Sequence, residues 1–113
     1  MDATDLFAGL FVRDHDASRA WYERLLGRAP AFLASETEAV WQLAEHRWLY
    51  TKQQADHAGH GELTVFLTDL DATVAGAAER GLEPDRREDY PGGVRKVVFR
   101  DPDGNEIGLG GTA

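Results

Sequence analysis

The chain contains the same segment twice, and this duplication constrains the fold more than any other feature. Residues 11–20 align with residues 66–75 at a constant offset of 55, and the phenylalanine, two aspartates and two alanines are repeated. Such a repeat indicates two copies of one structural unit. Because a copy of about fifty residues buries little apolar surface by itself, we expect the copies to pack on each other or on a second chain.

Each copy has the pattern of a strand, a helix and a helix stop. An apolar run leads into an Asp-x-Asp-Ala segment, in which Asp14 or Asp16 can cap the free amides at the start of a helix. Ala17, Trp21 and Leu25 then recur at helical spacing. A glycine ends each helix, with a proline three residues further on. These stops are Gly27 with Pro30 and Gly81 with Pro84.

Three short strands are predicted after each helix. They span 31–34, 39–44 and 47–52 in the first copy, and about 83–87, 94–100 and 106–110 in the second. We therefore expect a single domain over 1–113, with repeat unit 1 at about 5–52, a polar linker at 53–60 and repeat unit 2 at about 61–111.

Composition excludes several classes of protein. The chain has no cysteine, which rules out disulfide scaffolds, thiol nucleophiles and cysteine-ligated zinc. The apolar runs are too short for a membrane span, and the first residues lack the pattern of a signal peptide, so we expect a cytoplasmic protein. The net charge of −8 would repel nucleic acids and anionic membranes, and we expect neither as a partner.

Two motifs carry a resemblance to a known family. One is the Asp101-Pro-Asp-Gly-Asn105 turn before the last strand, and the other is Trp21-Tyr22 followed by Leu26-Gly27. With the duplication, they resemble the vicinal oxygen chelate superfamily, which includes glyoxalase I, bleomycin resistance proteins, fosfomycin-inactivating enzymes and extradiol dioxygenases. The resemblance implies an α+β fold in which two βαβββ repeats pair curved mixed sheets around a cavity. It also implies a homodimer.

The resemblance further implies where a metal would bind, on the first and last strands of each unit. The first-strand positions fall at Phe7 and Glu62, which the repeat offset of 55 also relates. The last-strand positions fall at Tyr50 and Gly108. Only Glu62 among the four supplies a good donor for a divalent ion. We therefore expect no metal at the usual site and no cofactor.

Strand alternation predicts which side chains face the cavity. Aromatic rings, carboxylates and glycine gaps share this face and favour a flat or cationic organic ligand. The alternative is that the aromatic rings fill a collapsed core. The inward set contains the candidate ligand-binding residues Phe7, Phe11, Trp48, Tyr50, Glu62, Thr64, Phe66 and Gly108, together with Gly9, Glu106 and Gly110.

Two functions compete on this basis. The first is a metal-independent protein, similar to the bleomycin resistance branch, that sequesters an aromatic or cationic compound. The second is a lyase, isomerase or dioxygenase of the same superfamily, with Glu62 as a general base or with a displaced metal. That metal would be held by Asp5, His60, Glu62 and Glu106. A third reading is an interaction module whose cavity is plugged by large side chains.

Other charged residues are predicted to face solvent. His15 opens a helix and His46 lies in a hairpin turn, while His57 lies in the linker. The arginines at 86 and 87, with Arg95 and Lys96, are interpreted as solvated strand and loop charges.

Overall fold

The fold consists of two βαβββ units that follow one another along the chain. The computed structural model describes residues 1–112. The first unit comprises β1 (Leu6–Val12), α1 (His15–Leu26), β2 (Phe32–Ser35), β3 (Glu38–Ala44) and β4 (Arg47–Gln53). The second comprises β5 (Glu62–Phe66), α2 (Leu70–Glu79), β6 (Arg86–Tyr90), β7 (Val94–Arg100) and β8 (Glu106–Thr112). The predicted α+β architecture of two such repeats is confirmed.

Each unit forms its own four-stranded mixed sheet. Sheet 1 has the order β1-β4-β3-β2 and sheet 2 has the order β5-β8-β7-β6. In both sheets the first strand pairs parallel with the last strand, and the remaining pairs are antiparallel. The first strand of each unit, β1 or β5, therefore lies at a sheet edge.

The repeated aspartates begin both helices. Asp14 accepts a hydrogen bond from the amide of Ala17 at 3.1 Å, and Asp69 accepts one from the amide of Ala72 at 3.0 Å. These side chains satisfy amides that have no partner within the helix. Gly27 ends α1 in the left-handed conformation with φ of 73°. The duplicated motif is thus a helix-capping motif that occurs once per unit.

One apolar core joins the two units. Both helices pack against the helix-facing sides of the sheets, and these sides merge into a single buried cluster. Its large members include Trp21, Leu25, Trp41 and Leu49 from the first unit, and Val97, Phe99, Ile107 and Leu109 from the second. The opposite side of each sheet points away from this core. We call these two sides the open face of sheet 1 and the open face of sheet 2.

The Asp101–Asn105 turn fastens the units together. Tyr22 on α1 donates its hydroxyl hydrogen to Asp101 Oδ2 at 2.8 Å. Asn105 donates to the carbonyl of Phe11 at 2.8 Å and accepts from the amide of Gly61 at 2.9 Å. Burial, and then the negative charge of Asp101, raise the pKa of the Tyr22 hydroxyl above its usual range. The turn therefore connects the two units through buried hydrogen bonds.

Ala17, Trp21 and Leu25 all lie in α1 as predicted, although Ala17 is exposed and the buried face begins with His15 and Ser18. Two local predictions were wrong. His15 was expected in solvent but is only 6% exposed, because it lies on the buried face of α1. Its backbone amide donates to Gln53 Oε1 at 2.8 Å. The strand predicted at 83–87 lies at Arg86–Tyr90, since its ladder with β7 starts where Arg86 pairs with Val98.

No helix within residues 1–112 is both long enough and apolar enough to cross a membrane.

Candidate functional site

The open face of sheet 1 carries the aromatic residues that strand alternation predicted. In the register of β1 and β4, Phe7 lies opposite Trp48, and Gly9 lies opposite Tyr50. Phe7 is 49% exposed and Phe11 is 39% exposed. Since these rings are so accessible, they do not fill a collapsed core within one chain. They form an aromatic surface instead.

Trp48 is the centre of an aromatic cluster on this face. Its ring stacks on Phe7 with centroids 5.3 Å apart and planes 6° apart, and Phe32 meets it edge-on at 6.1 Å. The indole nitrogen of Trp48 donates a hydrogen bond to Asp5 Oδ2 at 2.9 Å. This bond is the main reason why the pKa of Asp5 lies below its usual range. The polar edge of Trp48 is thus already bonded within the chain. We call Phe7, Phe32 and Trp48 the Trp48 cluster.

The glycines on the open faces do not leave gaps. A Cβ atom at Gly9 would collide with the ring of Tyr50, and one at Gly110 would lie 2.7 Å from the ring of Phe66. In both places a neighbouring aromatic ring occupies the space above the glycine and covers the backbone there. The predicted glycine gaps are therefore wrong, because cross-strand side chains occupy the space.

The open face of sheet 2 is more polar. Glu62 lies opposite Glu106, Thr64 opposite Gly108, and Phe66 opposite Gly110. Phe66 is 63% exposed. The other two strands add basic and acidic side chains to the same face. The two open faces thus differ in kind, since one is mainly aromatic and the other carries most of the charges.

The carboxylates of this face have very different surroundings. Glu106 accepts hydrogen bonds from Arg86 at 2.7 Å and from Arg100 at 3.0 Å, and the Arg86 bond chiefly lowers its pKa. Glu88 accepts from Tyr90 at 2.6 Å and from Arg86 at 2.8 Å, and its pKa is also lowered. Glu62 receives no hydrogen bond and makes no ion pair within the described chain. Among the carboxylates of this face, Glu62 is therefore the one that no other side chain in the range 1–112 neutralises.

The alternative metal ligands are not brought together within one chain. Asp5 lies beside Trp48 and, at 3.4 Å, beside the ring of His46, whereas Glu106 is engaged by two arginines. Over the stretch 1–112, no group of three or more histidine and acidic side chains is arranged to hold a metal ion. At the family's usual positions, Phe7 and Tyr50 lie on sheet 1 and Glu62 and Gly108 on sheet 2. One carboxylate is a poor donor set for a resident divalent ion.

Lys96, which was interpreted as a solvated charge, does not extend freely into solvent. Its side chain is only 22% exposed and lies over Gly108 in the open face of sheet 2. Val97 and Phe99 are buried on the helix-facing side of the same strand, so alternation places Lys96 on the open face. The run of apolar residues at Val97–Phe99 hid this alternation in the sequence.

The two units leave an apolar groove between them, with a volume of about 720 Å³. It runs along the edge strands β1 and β5, whose outer hydrogen-bonding groups have no neighbouring strand in the described chain. Unprotected edges beside apolar surface favour association with another chain. The apolar side chains of the groove include Leu6, Ala8, Leu26, Leu63, Val65 and Leu67.

Comparisons with known proteins agree with this architecture. The sequence profile described as Glyoxalase/Bleomycin resistance protein/Dioxygenase superfamily matches residues 5–109. A glyoxalase / bleomycin resistance protein from Catenulispora acidiphila is 50% identical, with a TM-score of 0.94 over 98% of this chain and 100% of that one. A search of curated protein sequences finds no match.

Two further structures are similar in fold at lower identity. A bleomycin-binding protein complexed with bleomycin superposes with a TM-score of 0.77 at 22% identity, covering 98% of this chain and 100% of that one. An antibiotic-binding protein from a Streptomyces species has a TM-score of 0.74 at 24% identity, covering 99% and 98%.

Proposed function

Because the chain belongs to the Glyoxalase/Bleomycin resistance protein/Dioxygenase superfamily, we propose that it binds and sequesters an aromatic or cationic organic molecule without a metal cofactor. One observation carries this proposal. An accessible aromatic cluster on one sheet is matched by an accessible carboxylate without an internal partner, Glu62, on the other.

The Trp48 cluster supplies a flat apolar platform. Because Asp5 holds the indole nitrogen and Phe7 stacks on the ring, the platform is ordered before a ligand arrives. Little side-chain entropy is then lost on binding. Aromatic faces attract flat rings and cations, the latter by about 0.5 to 2 kcal/mol.

Glu62 supplies the charge that selects a cation. Glu106, its cross-strand neighbour, is already neutralised by two arginines, so it adds little attraction for a ligand. A ligand ammonium at Glu62 would gain a charge-assisted hydrogen bond. We expect this carboxylate to contribute more to affinity than any other acidic side chain of the open faces.

The proposed binding site requires a second copy of the chain. Each open face points away from the shared core, so neither can cover the other within one chain. A two-fold dimer that used the apolar groove and the edges of β1 and β5 would bring each open face of sheet 1 against the partner's open face of sheet 2. Each of two equivalent sites would then combine a Trp48 cluster with a Glu62 from the other copy.

The similar structures are consistent with this proposal. One of them is a bleomycin-binding protein with bleomycin bound, and another is an antibiotic-binding protein. Both cover nearly the whole of this chain, so the entire two-unit fold, rather than a fragment, is shared with proteins that bind such molecules.

Mixing two defective variants tests the shared site. Trp48→Ala and Glu62→Gln should each bind an aromatic cation weakly. When the two are unfolded together and refolded, half of the dimers should be mixed, and each mixed dimer should regain one intact site, or roughly a quarter of all sites. Sites built within single chains would not recover. Weak binding by wild type, or affinity unchanged in both variants, would contradict the proposal itself.

Glu62 also favours a second candidate function. A carboxylate without an internal partner can accept a proton from a bound substrate, which is the task of a general base. Turnover of a bound compound that disappears in Glu62→Gln, while binding persists, would place the protein among the enzymes of the superfamily. Binding without turnover would leave sequestration as the function.

A further inference from the structure

Lys96 crosses the centre of the open face of sheet 2. Its Cε and Cδ atoms lie 2.5 and 3.4 Å from the position that a Cβ atom would take at Gly108, and Thr64 Oγ1 lies 3.0 Å from the same position. The lysine stem therefore reaches from β7 over β8 toward β5. It uses space that only a glycine at residue 108 leaves free.

The ammonium group of Lys96 has no strong partner. The nearest carboxylate oxygen, Glu88 Oε1, is 3.9 Å away, which is beyond hydrogen-bond distance. That oxygen already accepts from Tyr90, and the other oxygen of Glu88 accepts from Arg86. Lys96 makes no hydrogen bond with any other residue in the range 1–112. It differs in this from Arg86 and Arg100, which are bonded to Glu106 at 2.7 and 3.0 Å.

The side chain of Lys96 is mostly covered, and its ammonium, which forms no hydrogen bond within the described chain, needs another group to accept its hydrogens. Water can do so in the separate chain. Closure of the open face by a second copy would remove much of that water. The centre of the partner face consists of the rings of Phe7, Trp48 and Tyr50, none of which carries a negative charge that could pair with the ammonium. In the closed site, the ligand would then be the group that accepts hydrogen bonds from the Lys96 ammonium.

We propose that Lys96 binds an acidic oxygen of the ligand, such as a carboxylate or a phenolate, so that the site takes aromatic compounds bearing both an ammonium and an acidic oxygen. This inference rests on the proposed function and adds the second polar group. Glu62 meets the ammonium, while Lys96 meets the oxygen beside Thr64. Glu62 and Thr64 are alternate residues of β5, so the two contacts lie roughly 7 Å apart along the strand.

Gly108 positions this lysine. A side chain at residue 108 would push the stem of Lys96 away from the sheet and displace its ammonium. The position at which the family resemblance implies a metal-binding carboxylate is instead a glycine covered by a lysine. In this protein, the ammonium of Lys96, rather than a metal ion, supplies the positive charge near residue 108.

Three matched probes separate the two charges of the ligand. They are para-aminomethylbenzoate, which carries both groups, para-methylbenzylamine, which carries only the cation, and para-methylbenzoate, which carries only the anion. Their affinities for the intact protein can be measured by quenching of tryptophan fluorescence. We expect para-aminomethylbenzoate to bind about tenfold more tightly than para-methylbenzylamine, as a hydrogen bond to a charged group would provide.

Lys96→Met tests the lysine directly, because it keeps the apolar stem over Gly108 and removes the charge. In Lys96→Met, the ratio of the affinity for para-aminomethylbenzoate to that for para-methylbenzylamine should fall to near one. Gly108→Ala should lower the same ratio by displacing the ammonium. Arg87→Met is the matched control, since Arg87 is exposed and lies opposite Val97, on the helix-facing side of the same sheet. It should leave the ratio unchanged.

Chemical modification provides a second readout. Because the chain has two lysines, acetylation of each can be followed by mass spectrometry. Para-aminomethylbenzoate should slow the acetylation of Lys96 several-fold, and by a larger factor than that of Lys52, the other lysine.

The outcomes distinguish this inference from the proposed function. If the probes bind but their affinity ratio is near one in wild type, or unchanged in Lys96→Met, Lys96 does not bind the ligand and only this inference fails. If para-methylbenzoate protects Lys96 while para-methylbenzylamine does not bind, then Lys96 does bind an acidic oxygen. The proposed preference of the site for cations would be wrong. If no probe quenches fluorescence or protects Lys96, both are overturned.

Discussion

The ring of Tyr50 covers Gly9, its direct cross-strand partner, so a side chain at residue 9 would collide with the tyrosine ring. This relationship explains how an exposed sheet can carry a large aromatic side chain in a defined position. The ring covers bare backbone on β1 and remains half-buried, although no helix packs on this face. The orientation of Tyr50 on the open face thus depends on the absence of one carbon atom.

Gly9→Ala should therefore destabilise the protein by about 1 to 3 kcal/mol, the usual cost of forcing an added methyl group into a filled space. Urea unfolding would measure the change in the free energy of unfolding. The control is the same substitution in a Tyr50→Ala background, where the methyl group has room. An equal cost in both backgrounds would show that the tyrosine ring is not the obstacle.

Tyr22 should make stability fall at alkaline pH. Its pKa is raised in the folded chain by burial and by Asp101, so unfolding lets this hydroxyl ionise at its ordinary value of about 10. A raised pKa contributes stability that is present below the unfolded pKa and is lost as the pH rises beyond it. The free energy of unfolding should decrease from about pH 10 upward. Tyr22→Phe should have a smaller decrease, although it is less stable at neutral pH.

Tyr90→Phe is the matched control for this experiment. The Tyr90 hydroxyl also donates to a carboxylate, but it does so on the exposed open face of sheet 2. Its removal should change stability little at neutral pH. An alkaline decrease in Tyr22→Phe as large as that of wild type would show that Tyr22 is not the titrating group.

Asp5 should act on ligand binding through Trp48. Asp5→Ala removes the acceptor of the indole hydrogen bond, so the ring loses its fixed orientation and an aromatic cation should bind several-fold more weakly. Asp5→Asn keeps a side-chain oxygen and should restore most of the affinity. Fluorescence titration measures both effects. Glu45→Ala, which removes a charge beside His46 but no bond to Trp48, is the control for general electrostatics.

The edge of β1 should control dimerisation. Leu6 is 69% exposed and lines the apolar groove, so Leu6→Glu would place a charge in the proposed interface without disturbing the core. Light scattering should give about twice 12.5 kDa for wild type and a mass near 12.5 kDa for this variant. Leu33→Glu, at an exposed position on the distant strand β2, should remain dimeric. A monomeric wild type would exclude the shared site.

Features governed by neighbouring residues were predictable from the sequence. The repeated aspartates cap both helices because a carboxylate reaches amides only three residues away, and Gly27 ends α1 because its left-handed conformation suits glycine. The two βαβββ repeats were also predictable. So was the side of the sheet on which each strand residue lies, because alternation is a property of a single strand. These local rules extended to Phe7, Trp48 and Glu62 as members of the open faces.

Features governed by distant residues appeared only in the tertiary structure. Trp48 bonds to Asp5 across 43 residues, and Tyr22 bonds to Asp101 across 79. The glycines of the open faces, expected as gaps, are covered by Tyr50, Lys96 and Phe66. Strand register and twist decide which neighbour a long side chain crosses, and no short stretch of sequence contains that information. The sequence by itself thus determined which residues share each face, whereas the packing of strands against strands decided which of them remain available to a ligand.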